Sequence, residues 1–199
     1  AKSKKIVSKP EHNSTTKPTN ADDLDQRLEA VNEILETPLS REELETALTT
    51  PNFFESLKEP PTTMPLPDKA LKDDREFIRL NRHKVASLLP GDIMEFTYSG
   101  LSANYQIEIL SRVKNKNNSI TWRGRIINEA TGIDYKVSIT QSTKLTLMGV
   151  NTPEGHISLQ TNDSEGWIAS SGTLFVQDPA TPDYVIPDDA EGLLQKHQH

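Results

Sequence analysis

Apolar and polar residues recur along this chain with two different periods, and the change falls near residue 75. Before it, in NADDLDQRLEAVNEILE, Leu24, Leu28, Val31 and Leu35 are spaced by three and four residues and so share one helical face. Asn20 can cap the first turn, Asp22 and Asp23 suit the positive end of the helix dipole, and Thr37-Pro38 ends the run. SREELETAL opens with a capping box, Ser40 followed three residues later by Glu43, and carries Leu44 and Leu48 as its stripe. TPNFFESLKE repeats a start signal, with Thr50 as cap and Pro51 at the first helical position, and holds Phe53, Phe54 and Leu57. PPTTMPLP then predicts an extended linker.

From residue 75 the period becomes two. REFIRL, IMEFTY, YQIEILSRV, SITWRGRII, DYKVSITQS, KLTLMGV, HISLQT, GWIAS and TLFVQD alternate or run apolar, with turn-rich segments such as KNKNN and NDSEG between most of them. NRHKVASL reads as a short helix or turn, and PGD at 90–92 as a turn. VNTPEGHI predicts a tight hairpin, with Pro153 at its second position and Gly155 supplying a positive φ. The fold class is therefore mainly β: an antiparallel sandwich or barrel-like domain, preceded by a short-helix arm and followed by an extended tail. The expected boundaries are a disordered linker over 1–20, the helical arm and proline-rich linker over 21–67, the β domain over 68–178 and the tail over 179–199.

The arm raises a question of packing. Helices this short are marginal in water unless they bury their apolar stripes. They could form a small bundle on the same domain or lie along a partner protein, and the polar linkers between them favour the partner. Leu24, Leu28, Val31, Leu35, Leu44, Leu48, Phe53, Phe54 and Leu57 are then candidate partner-binding residues. The tail PATPDYVIPDDAEGLLQKHQH adds Tyr184, Ile186, Leu193 and Leu194, isolated apolar anchors in a proline-rich acidic segment. That is the pattern of a peptide ligand, the alternative being a tail that folds back on its own sheet.

Composition narrows the function. With a formal charge of -7 and only AKSKKIVSKP as a basic run, the chain lacks the positive surface that phosphate backbones require. It has 34% hydrophobic residues among 199, enough for a core of about 100 residues plus extended segments. It has no cysteine, hence no disulfide or thiolate metal site. No apolar run reaches the roughly 18 residues of a membrane helix. The first residue is Ala, which leads to the expectation that a signal peptide or membrane anchor has been removed.

Candidate chemistry is sparse. HExxH, GxSxG, P-loop and dinucleotide patterns are missing, and no carboxylate pair stands in an apolar setting. Of five histidines, His197 and His199 alone are close in sequence, at the end of the tail. The expectation is a protein with no catalytic, cofactor or metal site. ITWRGRI is the busiest stretch. As a strand it turns Ile120, Trp122, Gly124 and Ile126 to one face and Thr121, Arg123, Arg125 and Ile127 to the other. Trp122 and Ile126 then enter the core, Gly124 makes room for a neighbouring ring or a bulge, and the arginines pair outside with Asp134 or Glu108. Pro153, Gly155 and Trp167 complete the candidate structural residues.

The order of these pieces resembles the N-terminal prodomain-like module of secreted bacterial zinc metallopeptidases. Thr121, Trp122, Gly124, Arg125 and Ile126 match its T-W-x-G-R-I element, and Thr152, Pro153 and Gly155 its T-P-x-G turn. His156 stands where an aromatic is usual, and Gly166 and Trp167 are more closely spaced than in its final G-x-x-W. The resemblance covers about 75–176. The HExxH catalytic domain that follows in those proteins does not follow here. The chain is thus similar to membrane-anchored CpaB-type chaperones of type II-secreted zinc metalloproteases. The resemblance implies a periplasmic chaperone and inhibitor that binds a zinc metalloprotease in trans, as a heterodimer. The alternative is a carbohydrate- or surface-binding β module on a stalk.

Overall fold

A computed structural model describes residues 21–68, 70–71, 73–127 and 132–174. The expected linker 1–20 and the tail anchors Tyr184, Ile186, Leu193 and Leu194 lie outside the described residues. Two helices come first, α1 (Ala21–Asn32) and α2 (Arg41–Thr49). Then follow β1 (Phe54–Leu57), β2 (Glu76–Leu80), the short helix α3 (Arg82–Ala86) and β3 (Ile93–Phe96). The remaining strands are β4 (Tyr105–Lys114), β5 (Ile120–Ile126), β6 (Tyr135–Gln141), β7 (Leu145–Thr152), β8 (Gly155–Asn162) and β9 (Glu165–Ser170), and α4 (Ser171–Leu174) closes the described part.

All nine strands belong to one antiparallel sheet in the order β1-β2-β9-β8-β7-β6-β5-β4-β3, curled into a half-barrel. From β3 to β9 it is a meander of sequential hairpins, each short turn joining neighbours in space. β2 then reaches back to pair with β9, Phe77 opposite Trp167. Alternation sorts the faces: Ile78, Phe96, Ile107, Trp122, Ile139 and Ile168 are buried to 2% exposure or less on the inner side. At about 1.5–3 kcal/mol for each such side chain, this face supplies most of the driving force for the curl.

Four expectations are corrected. TPNFFESLKE is not a third helix. Its residues 54–57 form β1, with Phe54 opposite Leu80 and Leu57 opposite Phe77, while Phe53 inserts beside Phe96, ring centroids 6.3 Å apart. Thr50 caps the end of α2, its N–H donating to the Thr46 carbonyl at 3.0 Å, so the Thr-Pro pair stops one helix rather than starting another. The sheet therefore begins before residue 68. The first helix stops at Asn32, short of Leu35, because the Asn32 amide takes both the N–H and the C=O of Leu39 at 2.8 and 2.9 Å. Thr173 and Leu174 lie in the helical turn α4, not in a strand.

The arm packs on its own domain, against the preference for a partner-bound arm. Leu24, Val31, Leu39 and Leu44 bury one another with Ala86 of α3, and Ile34 and Leu35 reach the main core. Cations from the β domain secure it. Arg112 of β4 donates to the Ala30 and Val31 carbonyls at 2.6 and 3.0 Å, at the end of α1. Lys84 of α3 donates to the Ala47 carbonyl at 3.2 Å and to that of Thr50, at the end of α2. Both place positive charge where a helix leaves carbonyls unpaired and its dipole is negative.

Candidate functional site

The inner face of the half-barrel is occupied by the chain's own side chains, so any site is a surface or a groove. Of the apolar residues read as partner-binding, Leu24, Val31, Leu44 and Phe53 are buried within this chain. Leu28, Leu35, Leu48 and Phe54 are half-buried against the same clusters, and Leu57 is half-buried at the end of β1. In this conformation the arm turns its stripe inward and offers a partner mainly its charged outer side.

ITWRGRI is a strand whose chemistry is structural. Trp122 is fully buried and donates its indole N–H to the Leu88 carbonyl at 3.0 Å, which satisfies the one polar atom of the ring. Gly124 is required by a close approach: a Cβ there would stand 2.6 Å from the Glu108 carbonyl oxygen, just where β4 carries a bulge between Ile109 and Ser111. Arg125 pairs with Glu108 at 2.9 Å and Asp134 at 3.4 Å on the outer face, as the alternation predicts. Gly155 adopts φ +127° in the β7–β8 turn, where the Thr152 hydroxyl donates to its carbonyl at 2.8 Å.

Trp167 stands apart from the inner-face residues. It is buried, but on the outer face, beneath the Arg75 guanidinium 4.6 Å from the ring centroid. The linker before β2 helps to cover this area, Thr62 donating to the Glu165 carboxylate and Thr63 to the Asn162 carbonyl. Beyond Trp167 a shallow trough runs along the outer face past Leu174, Gln160, Gly149 and Thr140, and Leu147 is 43% exposed there. Leu145, Leu110 and Val113 are further exposed apolar groups on the sheet.

Several important residues escaped the sequence reading because they look like ordinary surface charges. Arg82 is the clearest. Its guanidinium donates to the carbonyls of Ser142, Thr143, Lys144 and Asp163 at 2.5 to 2.9 Å, tying the β6–β7 and β8–β9 turns together. Burial lowers the pKa of Arg82, and likewise those of Lys84 and Arg112. The structure shows Asn81 capping α3 just before Arg82, where the sequence reads only as a short helix or turn.

At the other end of the barrel Tyr105 donates to Glu154 at 2.7 Å, and burial followed by that bond pushes the phenol up to about 12. Of the histidines, His156 bonds Asn151 through a ring nitrogen at 3.0 Å, and His83 stands 3.9 Å from Glu43. Among the described residues no group of three or more His, Asp or Glu is arranged to hold a metal ion.

Comparison with known proteins places this arrangement. A family model, BamI lipocalin-like domain, matches residues 53–175, from the residue before β1 to the residue after α4. A solved structure described as "Structure of a chaperone-substrate complex" is 17% identical with a TM-score of 0.48, over 60% of this chain and 100% of that one. No curated protein sequence matches.

Proposed function

The chain belongs to the BamI lipocalin-like domain family, and from that premise we propose that it is a chaperone of the bacterial envelope that works by binding another protein and has no catalysis of its own. The observation that carries the reading is the filled inner face. A lipocalin-like sheet whose concave side holds Trp122, Phe96, Ile107 and Ile139 has spent that side on its own core, so its work is done at its outer face and edges.

The partner in this reading is a secreted zinc metalloprotease, met in the periplasm, helped to fold and held inactive until export. The matching T-W-x-G-R-I and T-P-x-G elements support it, since they form in this structure the β5 strand and the β7–β8 turn. In this reading the tail 179–199 is the inhibitory segment, with Tyr184, Ile186, Leu193 and Leu194 as the side chains for the protease's pockets and His197 or His199 as the group for its zinc.

Co-expression with a secreted HExxH protease encoded beside its gene tests this. The two should purify as a heterodimer, and the protease should fail to fold or reach the medium when the chaperone is missing. A chain lacking 180–199 should still bind but leave the protease active on a peptide substrate. A protease that folds, is exported and stays silent equally well alone would refute the reading.

A further inference from the structure

An odd number of strands that alternate in direction leaves both edge strands pointing the same way. Every neighbouring pair in the order β1-β2-β9-β8-β7-β6-β5-β4-β3 is antiparallel, so β1 and β3 run parallel to each other. They cannot continue the antiparallel ladder by pairing directly. One further strand, antiparallel to both, can.

The two edges face each other across a groove of about 450 Å³. Asn52, Phe54 and Ser56 line one side, and Glu95, Thr97 and Ser99 the other. The ladders fix which backbone groups look into it. Asn81 N–H donates to the Phe53 carbonyl at 2.8 Å, so residues 53, 55 and 57 turn their amides to β2, and Phe54 and Ser56 turn theirs to the groove. Across it, Ile109 N–H donates to the Asp92 carbonyl at 2.8 Å, which directs residues 92, 94 and 96 to β4 and Glu95 to the groove.

We propose that this seam takes an extended segment of a protein partner as a tenth strand, antiparallel to both edges, with apolar side chains turned inward and basic ones outward. The inner side is set by Phe54, which shares a face with Leu80, and by the adjoining Phe53 and Phe96 rings. The outer side is acidic. Glu55 lies there, already sharing Arg79 with Glu165. Glu95 is exposed and makes no hydrogen bond or ion pair among the described residues. Glu76 stands instead on the inner face with Ile78, at one end of the groove, where it accepts from the Ser56 and Ser99 hydroxyls. Opposite charges on neighbouring strands stabilise the pairing, and a guest bearing Lys or Arg at alternate positions supplies them.

The proposal rests on the protein-binding reading above, but its test is direct. The probe is a capped octapeptide alternating lysine and valine, titrated against the full chain. It should bind at least about tenfold tighter than the glutamate–valine peptide, and weaken as salt rises. N-methylation of alternate amides should abolish binding, because it removes the ladder. The E55K/E95K variant, both positions on the surface, should keep its melting temperature and reverse the preference between the peptides. In NMR the amides of Phe54, Ser56 and Glu95 should gain exchange protection.

Equal binding of the N-methylated peptide, or indifference to charge reversal, would overturn the proposal. So would a K4E/K5E/K9E variant that binds the probe about tenfold tighter, since the seam would then be filled by the chain's own lysine-rich start. A protease complex that forms normally while no peptide enters the seam would sink this site and leave the chaperone reading standing. A seam that binds the peptide in a protein that meets no protease would do the reverse.

Discussion

Arg27 and Asp92 join the arm to the β domain through a forked ion pair, with Nη1 3.1 Å from Oδ1 and Nη2 bonded to Oδ2. Both side chains are largely shielded, at 15% and 12% exposure. Asp92 also accepts the Leu89 N–H at 2.8 Å, and Arg27 donates to the Ser87 carbonyl at 3.0 Å. The pair thus fixes α1 against the turn that leads from α3 into β3.

Breaking this pair should loosen the arm before the sheet. Arg27→Met leaves the Asp92 carboxylate with a backbone donor but no cation, at a cost of about 2–4 kcal/mol. Hydrogen exchange should show α1 amides losing protection while β5 and β6 keep theirs. Equal loss in both would mean that arm and sheet unfold as one unit.

Trp122→Ala should cost about 3–5 kcal/mol, and Trp122→Phe markedly less. The alanine variant loses the ring and leaves a void in the core. The phenylalanine variant chiefly leaves the Leu88 carbonyl without its donor. Denaturant midpoints for the two variants check the order, and a wild-type midpoint in Trp122→Ala would remove this residue from the core.

Val31→Asp should destabilise the free protein. Val31 is 0% exposed in an apolar cluster with Leu24, Leu39, Leu44 and Ala86, and a carboxylate there is stripped of water among side chains that offer it no hydrogen bond. A loss of about 3 kcal/mol or more is expected, read from the thermal midpoint. The exposed faces of α1 and α2 can accept a charge change without that loss, so Glu29→Lys makes a suitable control.

The acid limb of stability should follow three carboxylates. Glu43 is held below the ordinary carboxylate range by the Ser40 N–H, Glu154 by the Ser102 N–H and Glu165 by Arg79. Each favours folding when ionised, so its contribution is complete above the unfolded pKa and is lost as pH falls through the lowered folded value. The thermal midpoint should hold from neutral pH to about 5 and then fall, and E154Q/E165Q should start lower and fall less. Tyr105, raised to about 12, acts at the other end: its contribution is intact below the ordinary tyrosine pKa and is lost as pH climbs from there through about 12.

Strand positions were readable because alternation survives in a sheet with one filled face. The β5 pattern Ile120, Trp122, Gly124, Ile126 faces inward, and the capping box at Ser40 and Glu43 forms both of its reciprocal bonds. What local patterning could not express was competition from distant partners. Phe54–Leu57 carries a helix start signal, but β2 offered it an edge and Phe96 offered Phe53 a ring. Leu35 continues the helical spacing of Leu24, Leu28 and Val31, yet the Asn32 side chain ends the helix by bonding Leu39. The arm looked unpartnered because its clamps, Arg112 and Lys84, lie on the β domain, where a lone basic residue carries no periodic mark. The tail candidates lie outside the described residues.

The return of β2 to β9 bears on how the chain acquires its shape. The meander from β3 to β9 needs only neighbours in sequence, and such hairpins form quickly once their turns exist. The β1–β2 pair joins that meander only through a distant strand: Glu76 must find Ile168, and β1 enters the sheet through β2. During synthesis the first strands leave the ribosome well before the strand that receives them, and their apolar sides stay open to wrong associations for that interval. Completion is therefore a late event that depends on the last strand, and a chain truncated before residue 165 would lose β1 and β2 from the sheet as well as β9.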